Sequence, residues 1–313
     1  MKASYLRRWC KPRTILVISN LAENPAHTLE VVTGIRGTGA RVFLVQLPGP
    51  AYTTPGLGRN LPFLLTQPRA IAEPRFGNGN RQAFLWAEIL SEVTVLKNTP
   101  IERIPALADS LGVDLVVLTA PEIGFIRFCT GSTPDVDLYG SIPVPILIFG
   151  ARMKMSSWNG KEFRRILLPI SFGRDLGLQL RLACRFARRN RGRLTVLRVF
   201  ENGTTDEHPW ERTPVAVESR LPISELKQEG ILCPMEIAVC EGYPARKILS
   251  FNEQKPHDLI IIGGARMGNS SRGPGHNIAE AVVADAFCPV LILGRAIASA
   301  SAAADLIPQL TLA

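Results

Sequence analysis

Residues 258–295 read "DLIIIGGARMGNSSRGPGHNIAEAVVADAFCPVLILGR". An apolar run is followed by a glycine-rich segment, a segment of helical composition and a second apolar run. Continuous runs of Ile, Val and Leu are typical of parallel strands that helices cover on both faces. A glycine-rich loop between a strand and a helix can also hold an anion, because free N–H groups and the helix N-terminus favour negative charge. The stretch therefore predicts an α/β domain and a candidate anion site.

A second copy of this stretch lies 144 positions earlier, at residues 114–151: "DLVVLTAPEIGFIRFCTGSTPDVDLYGSIPVPILIFGA". Without a gap, Asp114 pairs with Asp258 and Pro145 with Pro289. Further upstream the offset is near 151, where "RTILVIS" from Arg13 faces "RRILLPIS". This self-similarity predicts two homologous halves.

Each half predicts alternating strands and helices, and hence a doubly wound parallel sheet with ligands favoured at the carboxyl ends of the strands. We place the first domain at 1–152, with a Pro/Gly-rich insertion at 48–80, the second at 163–295, and an Ala/Ser-rich tail at 296–313. In the second half, strands are predicted at 165–170, 193–199, 235–240, 258–263 and 289–293, and helices at 175–189, 215–229, 244–254 and 277–286.

Composition narrows the class of protein. The 313 residues carry a formal net charge of +9, and no apolar run approaches the roughly 20 residues that span a bilayer. Six cysteines without a CxxC pair and four widely spaced histidines predict a reducing cytoplasm and no metal site. The positive charge is spread along the chain, which argues against nucleic acid as a partner. Its densest part, from Arg181 to Arg193, is either an exposed helix face or an anion patch.

Several segments of the second half resemble the universal stress proteins, in particular their tandem two-domain members. These segments are "ILLPISFGRDLGLQLRLACRFARRNRGRLTVLRV", "EGYPARKIL", "DLIIIGG" and "AEAVVADAFCPVLIL". The first half is similar more weakly, through "LGVDLVVLT" and "IPVPILIF". The resemblance implies a Rossmann-like fold of the adenine nucleotide alpha-hydrolase type. It also implies pairing through edge strands, here 144–149 and 289–293, either within one chain as a pseudo-dimer or in a homo-oligomer.

The resemblance also implies a place for a nucleotide. Nucleotide-binding members of the family use an Asp at the end of the first strand, near adenine, and a Gly-x2-Gly-x9-Gly-Ser/Thr loop around the phosphates. Here Ser171 stands at the Asp position, Arg266 at the second glycine, and His276 and Asn277 at the Gly-Ser/Thr pair. The first half has Thr119 at its loop start, and we interpret it as a structural partner without a phosphate site.

The candidate nucleotide-binding residues are those that match or replace the family pattern in the second half. Two interpretations stay open: the loop wraps the phosphates of ATP, with Arg266 as a charged fork, or it is a surface turn whose site is lost. Ser171 could meet adenine or cap the helix that follows. The candidates are Pro169, Ile170, Ser171, Gly263, Gly264, Arg266, Gly268, Gly275, His276 and Asn277.

Three functions are compatible with these patterns. The first is a non-catalytic regulatory protein of the stress response that binds an adenine nucleotide in its second half. The second is an interaction module without a ligand, and the third is a weak ATPase. No Walker motif, serine nucleophile elbow or paired metal ligands occur in the sequence, so we predict no enzymatic activity and assign no catalytic or metal-binding residue.

Overall fold

The computed structural model describes most of the second half of the chain and the central strands of the first. The described residues are 12–19, 40–46, 93–96, 99, 103–119, 142, 144–150, 152–153, 163–172, 175–201, 209–263 and 278–293. The predicted insertion 48–80 and the tail 296–313 lie outside them.

Ten strands in this part of the chain form one sheet in the order β3-β2-β1-β4-β5-β10-β9-β6-β7-β8. Within each half the order is the same, with the first strand between the second and the fourth. All neighbours are parallel except β5 and β10. The strands are β1 Thr14–Ser19, β2 Arg41–Gln46, β3 Val93–Leu96, β4 Leu115–Thr119, β5 Ile146–Phe149, β6 Arg165–Ile170, β7 Arg193–Phe200, β8 Met235–Glu241, β9 Leu259–Ile262 and β10 Val290–Ile292.

Helices connect the strands, as the alternating pattern predicts for a doubly wound α/β fold. Pro244 occupies the first turn of helix α5, Pro244–Gln254, where its missing N–H costs no hydrogen bond. The described helices are α1 Ile104–Ser110, α2 Leu176–Arg189, a 3₁₀ helix Pro209–Arg212, α3 Pro214–Ser219, α4 Ile223–Gln228, α5 Pro244–Gln254 and α6 Ile278–Asp285.

The predicted single helix 215–229 is wrong, because the segment forms two short helices. Thr213 caps α3, its Oγ1 accepting a hydrogen bond from the Ala216 N–H at 3.2 Å. Pro222 then ends the helical path, because a proline pushes the residue before it out of the helical region. The chain restarts as α4 after Pro222, and Leu226 of that helix is buried.

Helix α2 packs on the sheet through one stripe of apolar side chains. Leu176, Leu180, Ala183 and Ala187 are all buried. On a second face, Arg181 forms ion pairs with Glu225 of α4 at 2.6 Å and with Glu229, which directly follows α4, at 2.7 Å. Arg181 is therefore part of a helix–helix contact, and neither predicted interpretation, an exposed face or an anion patch, describes it.

Corresponding carboxylates tie the strands of each half together. Oδ2 of Asp114 accepts hydrogen bonds from the backbone N–H groups of Arg13 and Thr14, at 2.9 and 3.1 Å. Oδ2 of Asp258 accepts from those of Arg164 and Arg165, at 3.1 and 2.8 Å. The same side chain thus joins the start of the fourth strand to the start of the first in both halves.

The two halves join through the segments predicted to pair. β5 and β10 run antiparallel, with Ile148 opposite Val290, Leu147 opposite Leu291 and Ile146 opposite Ile292. All six side chains are at most 2% exposed. Since alternate residues point to opposite faces, Leu147 and Leu291 enter the core on one side of the sheet, and Ile148 and Val290 the core on the other. Both hydrophobic cores are therefore shared between the halves.

Gly150, directly after β5, tests this junction. A Cβ at this position would lie 2.5 Å from the backbone oxygen of Val283 in α6, so Gly150→Ala must push β5 and α6 apart. We expect a loss of about 1–3 kcal/mol in the free energy of unfolding, measured by chemical denaturation. Gly177→Ala is the matched control, since its Cβ would meet only the flexible end of Arg181, at 3.1 Å. Equal stability of Gly150→Ala and the unmodified protein would contradict the described packing.

A buried polar network links four segments of the second half, through Thr195 of β7, Asn252 of α5, His257 and Cys288. Oδ1 of Asn252 accepts a hydrogen bond from the His257 N–H at 3.0 Å and lies 3.2 Å from Nδ1 of the same residue. Nε2 of His257 lies 3.1 Å from Oγ1 of Thr195, and Nδ2 of Asn252 lies 3.6 Å from Sγ of Cys288. Because Asn252 Oδ1 can only accept, the network fits a neutral ring with the proton on Nδ1.

This network predicts loss of stability in acid. Burial, with Lys255 and Arg165 nearby, lowers the pKa of His257 from 6.5 to about 4. The folded state binds this proton more weakly than the unfolded state, so the contribution is full above pH 6.5 and is lost as the pH falls toward 4. The loss is about 3 kcal/mol for this group. We expect denaturation curves of His257→Gln to vary less with pH in this window; an unchanged pH slope would contradict the neutral buried ring.

Candidate functional site

The candidate site lies where the strand order of the second half reverses. β6 has β7 on one side and β9 on the other, so the chain leaves β6 in one direction and later returns on the other side. In doubly wound sheets the crevice at such a point, at the carboxyl ends of the strands, is the preferred place for a ligand.

Two predicted segments meet at this crevice. Leu167 of β6 lies opposite Ile260 of β9, and continuing that register by three residues brings Ile170 opposite Gly263. Ile170 is buried, Pro169 is half-buried and Ser171 is exposed. Pro169, Ile170 and Ser171 at the end of β6 and Gly263 at the end of β9 thus lie on neighbouring strands, and of these four residues Ser171 is the exposed one.

Ser171 does not cap the following helix. The N-cap residue of α2 is Asp175, and its side chain makes no capping hydrogen bond. The capping interpretation of Ser171 is therefore wrong. Its exposed hydroxyl keeps the capacity to donate and to accept a hydrogen bond at the crevice.

Gly263 has a packing reason to be glycine. A Cβ at this position would lie 2.1 Å from Nε2 and 2.2 Å from Cδ of Gln179, which is on α2 and only 8% exposed. The carboxamide of Gln179 therefore fills the space where a side chain of residue 263 would be. No local pattern predicts this contact, because residues 179 and 263 meet only when α2 packs on the sheet.

The other six candidates are Gly264, Arg266, Gly268, Gly275, His276 and Asn277, and they lie outside the described residues. Their assignment remains a prediction from the sequence. The described part of the candidate site consists of the ends of β6 and β9.

Sequence reasoning missed a set of arginine and phenylalanine side chains on the other side of β6. We call it the arginine–phenyl stack, and it consists of Phe172, Arg198, Phe200, Arg212 and Arg220. Cζ of Arg198 lies 5.2 Å from the ring centroid of Phe172 and 4.7 Å from that of Phe200. Cζ of Arg220 lies 3.8 Å from Phe172, and Cζ of Arg212 lies 5.7 Å from Phe200. Such cation–π contacts hold guanidinium groups in place at a surface.

One signal for this stack was available in the sequence. Arg198 and Phe200 are two residues apart in a strand and therefore share one face of the sheet. Only the tertiary fold brings the other three members to that face. Phe172 follows β6, and Arg212 and Arg220 lie between β7 and β8.

Among the described residues we find no metal centre, and the thiol of Cys288 is protonated at neutral pH. Among them, no three His, Cys, Asp or Glu side chains are grouped closely enough to hold a metal ion. Burial raises the pKa of Cys288 to about 12, so its thiol stays protonated at neutral pH. In the described part no helix is long and apolar enough to cross a membrane.

The chain is similar in sequence to universal stress proteins. The model of the universal stress protein family matches residues 162–294. A universal stress protein of Methanocaldococcus jannaschii is 38% identical over 55 residues, which are 18% of this chain and 32% of the relative. The match thus spans about a third of that relative's length.

Two crystal structures are similar over nearly the whole chain. A universal stress protein from Archaeoglobus fulgidus DSM 4304 has a TM-score of 0.57 at 16% identity, covering 91% of this chain and 97% of its own. A structure from Pseudomonas aeruginosa UCBPP-PA14 has a TM-score of 0.54 at 18% identity, covering 94% and 98%. At these identities the likeness shows the fold, which extends across both halves.

The expected fold class is confirmed by these neighbours and by the parallel sheet. The expected family is confirmed where its model matches. Residues 162–294 are a domain of the universal stress protein family.

Proposed function

We propose that this chain is a non-catalytic regulatory protein of the stress response that binds an adenine nucleotide, ATP, in its second half. The observation that supports this most is the position of Ser171 and Gly263, which directly follow two neighbouring parallel strands, β6 and β9, at the point where the strand order reverses. The binding place would be the crevice at the carboxyl ends of β6 and β9, and the site of action the cytoplasm.

The chemistry of the crevice is suited to the base end of a nucleotide. Ser171 is exposed, and its hydroxyl can exchange hydrogen bonds with the polar edge of adenine. A serine carries no charge, so this contact is weaker than that of a carboxylate. The phosphates would then extend toward the glycine-rich segment after Gly263.

The apolar strands β5 and β10 pair without a second chain. β5 and β10 pair with each other within one chain, which removes two strand edges that would otherwise favour association. We propose that the two halves act as one intramolecular pseudo-dimer, with the first half as the structural partner. Larger assemblies would use the remaining edges at β3 and β8.

Restoring a carboxylate at position 171 tests the site. Ser171→Asp should tighten ATP binding about tenfold, because a charged acceptor forms the stronger hydrogen bond with an amino group. Ser171→Trp should abolish binding by filling the crevice. Isothermal titration calorimetry with ATP measures both, and Ser110→Asp, on an exposed position of α1, is the matched control.

Two results would contradict the proposal. One is no heat of binding and no rise in melting temperature at millimolar ATP for the unmodified protein or Ser171→Asp. The other is an equal effect of Ser171→Asp and Ser110→Asp. Formation of ADP during long incubation, at a rate that follows protein concentration, would contradict the non-catalytic part alone.

A second candidate function, an interaction module without a nucleotide, is favoured by the contact between Gln179 and Gly263. Because Gln179 fills the space over Gly263, that glycine is required for packing whether or not a phosphate ever approaches it. A glycine at the loop start therefore does not by itself indicate a working site.

A double substitution separates the two roles of Gly263. Gly263→Ala should cost about 1 kcal/mol in the free energy of unfolding, because the Gln179 carboxamide must move. Gly263→Ala with Gln179→Ala should recover most of that loss in chemical denaturation. If the recovered double variant still fails to bind ATP while Gln179→Ala binds it, Gly263 also serves the nucleotide. Recovery of both properties would assign Gly263 to packing alone.

A further inference from the structure

The arginine–phenyl stack presents a guanidinium group at a place where α/β proteins bind ligands. Phe172 follows the end of β6, and Arg198 and Phe200 form the end of β7, so the stack lies at the carboxyl ends of two parallel strands. It is on the β7 side of β6, whereas Gly263 is on the β9 side. Phe172 directly follows Ser171, so the stack adjoins the crevice of the proposed nucleotide site on its β7 side.

Arg220 is the member of the stack with donors to offer. Its side chain is exposed, and its Cζ lies 3.8 Å from the centroid of Phe172. Within the part of the chain that the structure describes, its side chain forms no hydrogen bond or ion pair. A guanidinium held on a ring keeps its N–H groups in the plane, where they can bind two oxygen atoms of one anion.

The positive charge around Phe172 also favours the binding of an anion. Cζ of Arg198 lies 5.2 Å from the same ring centroid, so the two guanidinium carbons are within about 9 Å of each other. Two positive charges at this separation repel each other near a protein surface. A multiply charged anion that bridges them removes this repulsion, and a single chloride does so less well.

We propose that the arginine–phenyl stack is a binding site for the phosphate groups of a small molecule, with Arg220 as the bidentate donor. The shared chemistry is two or more adjacent phosphate groups, which a free oligophosphate and a nucleotide both carry. Phe172 positions Arg220, and Arg198 supplies the second positive charge.

The experiment is calorimetric titration with pyrophosphate at fixed ionic strength. Arg220→Gln should weaken pyrophosphate binding at least tenfold. Arg246→Gln, an exposed arginine on α5 and the matched control, should change it less than twofold. Phe172→Leu keeps every charge and should also weaken binding, because Arg220 loses its support. Thermal melting of Arg220→Gln shows that the variant is folded.

Two outcomes would overturn the proposal: no pyrophosphate binding at millimolar concentration, or equal losses in Arg220→Gln and Arg246→Gln, which would indicate diffuse attraction to a basic protein. Titration with ATP separates the sources of phosphate. If ATP binds unchanged in Arg220→Gln and pyrophosphate does not bind at all, the crevice site stands and the stack does not. Arg220-dependent binding of pyrophosphate without any binding of ATP supports the stack alone.

Discussion

The antiparallel pairing of β5 with β10 is the contact on which the rest of the molecule depends. Each strand would otherwise leave one edge of backbone N–H and C=O groups unpaired beside an apolar surface, which favours association. Pairing buries six apolar side chains, and each such burial stabilises the fold by about 1.5–3 kcal/mol relative to exposure. It also places residues of both halves in both cores, so damage at this seam reaches elements far away in sequence.

A second constraint acts at the opposite ends of the strands. Asp114 and Asp258 each accept two backbone hydrogen bonds from the start of the first strand of their half. These contacts fix the stagger of neighbouring strands and thereby set which residues end level with one another at the carboxyl edge. The level ends of β6 and β9 are what form the candidate crevice. The carboxylates and the candidate crevice thus lie at opposite ends of the same two strands.

Periodicity predicted most of the helices and strands of the second half, because each element follows from the residues within it. It predicted one helix at 215–229, but the segment forms two, because Pro222 interrupts the helical path. Ser171 and Gly263 lie at strand ends, as predicted, but the packing of Gly263 against Gln179 cannot be read from the sequence. A glycine that makes room for Gln179 and a glycine that makes room for a phosphate look the same in a sequence.

From its residues alone, the chain revealed an α/β fold in two halves, the strands that join them, and a departure from the glycine pattern of nucleotide-binding relatives. Those properties are visible because period, composition and self-similarity are local. Folding settled which side chains meet: Arg181 with Glu225 and Glu229, Gln179 with Gly263, and three arginines with two phenyl rings. The physical reason is that a contact between distant residues depends on register and helix packing, which no short stretch of sequence encodes.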